Sequence, residues 1–145
     1  MGGDTLSSEA EPLCRLELNM DADTLAEARA EVRAVAQRCG ADRAVTDAVV
    51  QAVSEALQNV IRHAYRGAVP GRVDLSAWFG DGTLWIAIRD YAPPVDLASI
   101  KPRPLDQIRP GGLGTHFINT IMDHVTYQHA QSGQGNIVTM GKHIG

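Results

Sequence analysis

The chain has 145 residues, enough for one domain with one buried core but too few for two cores of ordinary size. Hydrophobic residues make up 44% and charged residues 21%, which is ordinary globular usage and excludes a disordered or fibrous protein. The net charge of -4 excludes a general attraction to nucleic acid or anionic membranes, and no apolar run is long enough to cross a bilayer. We therefore expect a cytoplasmic protein with a flexible leader over residues 1–12 and a single domain over residues 13–145.

The first predicted elements are a strand and a helix. Apolar and polar residues alternate over residues 13–20, the pattern of a half-buried strand. Asp21 or Asp23 can cap a following helix, in which apolar residues recur every three or four positions up to Cys39. Gly40 can end this helix in a left-handed conformation.

A second, longer helix and a β-hairpin follow. Helical periodicity runs from about Asp42 to about Tyr65. The first hairpin strand has an apolar face formed by Val73, Leu75, Ala77 and Phe79. The Gly-Asp-Gly of residues 80–82 forms the turn, and the returning strand ends at Asp90.

The rest of the chain is predicted to form a long loop, a helix and two strands. Prolines are frequent in residues 91–110 and indicate a loop. A third helix follows the Gly-Gly-Leu-Gly of residues 111–114, and strands cover about residues 125–130 and residues 136–143. This order predicts a two-layer α/β sandwich, a mostly antiparallel mixed sheet with helices on one face.

The cysteines and histidines do not indicate a metal site. Cys14 and Cys39 form no CxxC pair and lie in apolar patterns, so we expect buried, reduced thiols. The five histidines show no paired ligand spacing supported by cysteines. The sequence therefore predicts no zinc.

Three polar residues of the second helix are candidates for chemistry. Glu55, Asn59 and His63 follow at four-residue steps, which places them near one face of a helix. A carboxylate and a carboxamide offer the oxygen ligands that Mg²⁺ prefers and usually shares with phosphate. By itself, however, the pair is better explained as part of an ordinary amphipathic helix.

Two further candidates follow the helix in the chain. Asp90 ends a predicted strand, where its carboxylate can accept a hydrogen bond from the amino group of a base. The glycines of residues 111–114 precede a helix, whose free N–H groups and positive dipole end suit a phosphate. Taken singly, Asp90 fits a strand-end turn better and the glycines fit a flexible loop equally well. Their order along the chain is the specific feature.

This order resembles the GHKL ATPase superfamily, whose nucleotide-binding fold is the Bergerat fold, and most closely its anti-sigma-factor serine/threonine kinase branch. The stretch EALQNVIRHAY is similar to the family's N box, RDYAPPVD occupies the place of its first glycine box, and GGLGTHFINTIMDHVTY resembles its second. The resemblance covers residues 13–143. It implies a kinase that binds ATP and Mg²⁺ and phosphorylates an antagonist protein, with a sigma factor as another partner and a homodimer as the assembly.

The resemblance also implies roles for individual residues. Asn59 would coordinate Mg²⁺, Glu55 would be the general base for a protein hydroxyl, and Asp90 would recognise the adenine amino group. Arg109 would meet the terminal phosphate. The other residues of the nucleotide site would be His63, Ala92, Gly112, Leu113, Gly114 and Thr115.

The first glycine box departs from the family pattern, which has Asp, any residue and then Gly. Here Ala92 takes the place of the glycine and would be strained at positive φ, and two prolines stiffen the start of the lid. A binding module that sequesters a protein partner without phosphoryl transfer is therefore the alternative prediction. The catalytic domain of a two-component histidine kinase ranks lower, because the chain lacks a dimerisation helix pair with a phospho-acceptor histidine.

Overall fold

The computed structural model describes residues 12–19, 21–64, 71–91, 118–130 and 135–144. Several predicted features lie outside the described residues. They are the long loop, the side chain of His63, and the predicted site residues Ala92, Arg109, Gly112, Leu113, Gly114 and Thr115. Their roles stay predictions.

The first strand and helix form where their local signals indicate. Strand β1 spans Cys14–Asn19 and helix α1 spans Ala22–Arg38. The Asp21 carboxylate accepts the Thr24 backbone N–H at 2.9 Å, and the Thr24 hydroxyl accepts the Asp21 N–H at 2.7 Å, which satisfies two N–H groups at the start of the helix. Beyond the helix, Gly40 has φ +91°, the left-handed conformation predicted for it.

The second helix changes its winding immediately after Asn59. Helix α2 spans Arg43–Asn59 and is capped by Asp42, whose carboxylate accepts the Val45 N–H at 2.8 Å. The segment Val60–Ala64 continues it as one π-helical turn, where an uninterrupted α-helix was expected. Single π-turns inside helices are rare and are frequent at functional sites.

Within the described residues, five strands form one antiparallel sheet in the order β1-β2-β3-β5-β4. The last four are β2 (Arg72–Gly80), β3 (Thr83–Asp90), β4 (His124–His129) and β5 (Asn136–His143). Asp81 and Gly82 both have positive φ, +53° and +74°, as a two-residue hairpin turn requires. Residues 118–121 are helical and precede β4. The predicted antiparallel-rich α/β sandwich is confirmed.

The core lies between the helices and one face of the sheet, which we call the inner face. Alternate strand residues share a face, and the apolar inner-face residues of β2 and β3, apart from Phe79, are at most 1% exposed. They pack with apolar residues of both helices in one cluster that includes Leu75, Leu84, Ile86, Ile88, Met140, Val32, Val35, Val53 and Leu57. Phe79 departs from the predicted apolar face: it lies beside the hairpin turn and is 42% exposed.

Both cysteines are free thiols, as predicted. Cys14 is buried on β1, and Cys39 is half-buried at the end of α1. Burial raises the pKa of the Cys14 thiol to about 11, which keeps it protonated and poorly reactive at neutral pH. In the part of the chain that the structure describes, no helix has the length and apolar character needed to span a membrane.

Candidate functional site

The carboxylate of Asp90 lies on the inner face of the sheet. Asp90 is the last residue of β3 and continues the alternation of Ile86 and Ile88, so its side chain lies on the inner face. Asp90 is only 3% exposed. Because burying a charged group without partners is costly, such a carboxylate requires hydrogen-bond donors.

Asn136 supplies two of these donors from the neighbouring strand. Its backbone N–H and its side-chain Nδ2 both donate to Asp90 Oδ1, at 3.2 and 2.9 Å. Asn136 is itself buried, at 9% exposure. The pair fixes the orientation of the carboxylate at the point where β3 ends. Asn136 was not singled out from the sequence, because its position opposite Asp90 depends on the pairing of β3 with β5.

Gly135 lets β5 approach Asp90 closely. Its φ is +107°, a region that residues with a side chain rarely adopt. A Cβ atom at this position would lie 2.3 Å from the backbone oxygen of Asp90. Gly135 therefore meets two requirements at once, a positive φ and the close contact with β3.

Asn59 and Glu55 lie half-buried one turn apart on α2. Arg62, in the π-turn, donates from Nη1 to the Asn59 Oδ1 at 3.0 Å. This carboxamide oxygen is the atom predicted to coordinate Mg²⁺. Two of the predicted site residues thus form hydrogen bonds with residues that were not predicted, Asp90 with Asn136 on the sheet and Asn59 with Arg62 at the end of α2. The sequence pattern did not distinguish Arg62 from an ordinary exposed helix residue.

Tyr91 anchors the chain where it leaves β3. Its hydroxyl donates to the Asp74 carboxylate, and the guanidinium groups of Arg72 and Arg89 lie over its ring at 4.8 and 4.6 Å from the centroid. The hydrogen bond with Asp74 is the main cause of a raised Tyr91 pKa. These contacts hold the residue that follows Asp90 in the altered glycine box against the outer face of the sheet, the face opposite the core.

The polar groups described for this region are separate oxygen acceptors. Within residues 12–19, 21–64, 71–91, 118–130 and 135–144, no group of three or more His, Cys, Asp or Glu side chains could hold a metal ion. Asp90 offers a buried, oriented carboxylate and Asn59 offers a separate carboxamide oxygen, and both groups accept hydrogen bonds.

In the part of the chain that the structure describes, an antiparallel sheet and two helices form an α/β sandwich in which a buried carboxylate ends β3. Residues 18–142 match the family of histidine kinase-like ATPase domains. Because this match covers most of its length, the chain belongs to that family. The resemblance to the GHKL superfamily is confirmed, and ATP is the nucleotide that membership implies.

The chain was also compared with individual proteins, and the first solved structure below supports the fold. No curated protein matches the chain. A chain in the crystal structure of the SiaB-SiaC complex from Pseudomonas aeruginosa is similar, with a TM-score of 0.65 and 13% identity over 97% of this chain and 95% of that one. The histidine kinase AdeS of Acinetobacter baumannii has a TM-score of 0.49 and 14% identity over 97% of this chain and 73% of that one.

Proposed function

We propose that the protein binds ATP with Mg²⁺ and phosphorylates a serine or threonine of an antagonist protein in a partner-switching system, with a sigma factor as another partner. The observation that carries the nucleotide proposal is the buried Asp90 carboxylate, held by two donors of Asn136. A carboxylate accepts hydrogen bonds at several lone pairs, so a base amino group can add to the Asn136 contacts. Adenine presents such an amino group, whereas guanine presents a carbonyl at the equivalent position.

The phosphate end of the site is proposed at the end of α2. Asn59 would hold Mg²⁺ together with phosphate oxygens, because this cation keeps oxygen ligands and shares them with phosphates. Arg62 donates to Asn59 Oδ1 and is exposed, so its guanidinium can turn to a phosphate when that oxygen binds a cation. By resemblance, Arg109 would meet the terminal phosphate, and the proposed contacts of His63, Ala92, Gly112, Leu113, Gly114 and Thr115 complete the site.

Glu55 is the proposed general base. Its carboxylate would accept the proton of the incoming serine or threonine hydroxyl while that oxygen bonds to the γ-phosphorus and ADP leaves. Bound Mg²⁺ would neutralise charge on the transferred phosphoryl group. Asp90 and Asn136 would orient the adenine ring of ATP, since phosphoryl transfer depends mainly on the positioning of the reactants.

The protein partner is proposed from the resemblance and from one structural likeness. The SiaB-SiaC structure is that of a complex, and one of its chains has this fold. Transfer of a phosphoryl group would add about two negative charges to the partner, which disfavours packing at an interface. Such a change would release the partner and complete the switch.

The base-recognition part of the proposal is tested by calorimetry with Mg-ATP and Mg-GTP. Wild type should prefer ATP by about 10–100-fold, the value of one or two good hydrogen bonds. Asp90→Asn should lose most of this preference, since an amide can also donate to a guanine carbonyl. Asp47→Asn makes the same change at an exposed carboxylate of α2, and this variant should keep the preference for ATP. Equal affinity of wild type for the two nucleotides would contradict adenine recognition by Asp90.

Mg²⁺ binding and phosphoryl transfer are tested with separate variants. Asn59→Ala should weaken Mg-ATP binding sharply, while Gln51→Ala, at an exposed position of the same helix, should not. An extract of the source cells is incubated with γ-labelled ATP and either wild type or Glu55→Gln. Wild type should transfer the label to a protein of the extract, and Glu55→Gln should not. If ATP binds but neither protein transfers label, the chain is instead a binding module that sequesters its partner without phosphoryl transfer.

A further inference from the structure

Two histidines meet on the outer face of the sheet, far along β5 from Asn136. His124 on β4 pairs with Gly141 of β5, and His143 lies two residues further along the same strand. Side chains in such diagonal positions share a face and lie within reach of each other. The Nε2 atoms of the two imidazoles are 3.3 Å apart.

Neighbouring residues orient the His124 ring and fix the backbone at His143. The Trp85 ring stacks on His124, with centroids 5.3 Å apart and 25° between the planes. Gly141 leaves room for that ring, because a Cβ atom there would lie 2.7 Å from Trp85 Cζ3. The backbone N–H of His143 donates to Asp123 Oδ2 at 2.7 Å, which ties this end of β5 to the residue before β4.

From this geometry we propose that His124 and His143 together bind one divalent transition cation that prefers imidazole, such as Zn²⁺. With zinc–nitrogen bonds of about 2.0–2.1 Å, a separation of 3.3 Å corresponds to an N–Zn–N angle of roughly 104–111°, which matches tetrahedral coordination. Water would fill the remaining positions. This site lies outside the proposed nucleotide site and is independent of it.

The charges around the pair favour a cation. Asp123 Oδ2 lies 3.9 Å from His143 Nδ1, so its charge favours the tautomer protonated at Nδ1, which leaves the Nε2 lone pair for a metal. Lys142, the nearby positive group, donates to the carbonyl oxygen of Ile121 at 2.7 Å. Lys142 pairs with Leu84, so its side chain leaves the strand on the inner face, opposite to the two imidazoles. Its ammonium group nevertheless lies 3.9 Å from Asp123 Oδ1 and offsets part of the charge of that carboxylate.

The test is a Zn²⁺ titration of the nucleotide-free protein by calorimetry. Wild type should show one Zn²⁺ site that includes both histidines. His124→Phe keeps an aromatic ring against Trp85 but removes the nitrogen, and His143→Gln removes the other ligand. Each should weaken the affinity at least about tenfold. His129→Gln, at the opposite end of β4, is the matched control and should leave the affinity unchanged.

Excess Mg²⁺ should not compete, because Mg²⁺ prefers oxygen ligands. Circular dichroism of each variant would show that the fold is kept, and His124→Gln provides a second substitution if His124→Phe unfolds. The proposal is overturned if wild type binds no Zn²⁺, if binding survives loss of either histidine, or if His129→Gln weakens it equally. None of these results depends on ATP binding, so the site and the proposed kinase function fail separately.

Discussion

The two ends of β5 make cross-strand contacts of opposite kinds. At its beginning, Asn136 is buried and holds the buried carboxylate of Asp90 through two hydrogen bonds. At its end, His143 is exposed and meets His124 with one contact between ring nitrogens. A buried polar contact is strong when complete and costly when broken, whereas an exposed one exchanges easily with water. Substitutions at the first end should therefore affect folding, and those at the second mainly ligand binding.

The largest effect is expected for Gly135→Ala. The alanine would have to adopt a positive φ, which is rare for residues with a side chain. Its Cβ would also lie 2.3 Å from the backbone oxygen of Asp90. Gly82→Ala is the matched control, since Gly82 has φ +74° but no atom within 4 Å of the new Cβ. We expect a loss of about 1 kcal/mol in the free energy of unfolding for Gly82→Ala and at least about 3 kcal/mol for Gly135→Ala. Urea denaturation measures both, and equal losses would show that β3 and β5 do not approach so closely.

Asn136→Ala should have the next largest effect. The substitution removes the side-chain donor from a buried carboxylate, which costs about 1–3 kcal/mol. Asn19→Ala removes an exposed carboxamide from the end of β1 and should change stability by less than about 0.5 kcal/mol. Thermal unfolding of the two variants checks the comparison. Similar melting temperatures for both would mean that the carboxylate does not depend on the Asn136 side chain.

Gly141→Ala tests the exposed end of β5. Its Cβ would meet the Trp85 ring at 2.7 Å, but a half-buried side chain can move, so we expect a loss of about 1–2 kcal/mol. Gly80→Ala is the control, because a Cβ there meets no atom within 4 Å. Displacing the ring should also change the tryptophan fluorescence and weaken Zn²⁺ binding. Unchanged fluorescence in Gly141→Ala would contradict the close packing of Trp85 on this glycine.

The smallest effect is expected for the charge of Asp123. The His143 backbone N–H is the main cause of a lowered Asp123 pKa, and Lys142 lowers it further. Because the folded-state pKa is lower than the unfolded one, the stabilisation is present above about pH 4 and is lost as the pH falls through the folded-state pKa. At neutral pH, the free energy of unfolding of wild type should exceed that of Asp123→Asn by less than about 1 kcal/mol, since the Asp123 carboxylate is solvent-exposed.

Denaturation of both proteins at several pH values checks this sign. The difference in unfolding free energy between wild type and Asp123→Asn should shrink on acidification and disappear in strong acid. A difference that grows as the pH falls would mean that the carboxylate is not stabilised by its neighbours.

Local chemistry determined most of the regular structure. Asp21 caps α1 through its own side chain, Gly40 ends that helix, and Asp81 with Gly82 forms the hairpin turn. Each of these signals acts over a few residues, so it can be read directly from the sequence. The order of the three boxes along the chain, with Asn59 and Asp90 among their residues, likewise indicated the family from the sequence alone.

Only the tertiary structure decided which of these residues meet. Asp90 and Asn136 are 46 positions apart, and His124 and His143 are 19 apart, yet both pairs become neighbours because β5 inserts between β3 and β4. The prediction of no zinc rests on ligand spacing along the chain, and the Zn²⁺ titration of the His124 and His143 variants tests it. Periodicity reports which face a residue occupies but not which strand lies beside it, since strand order and register are set by packing of the whole sheet.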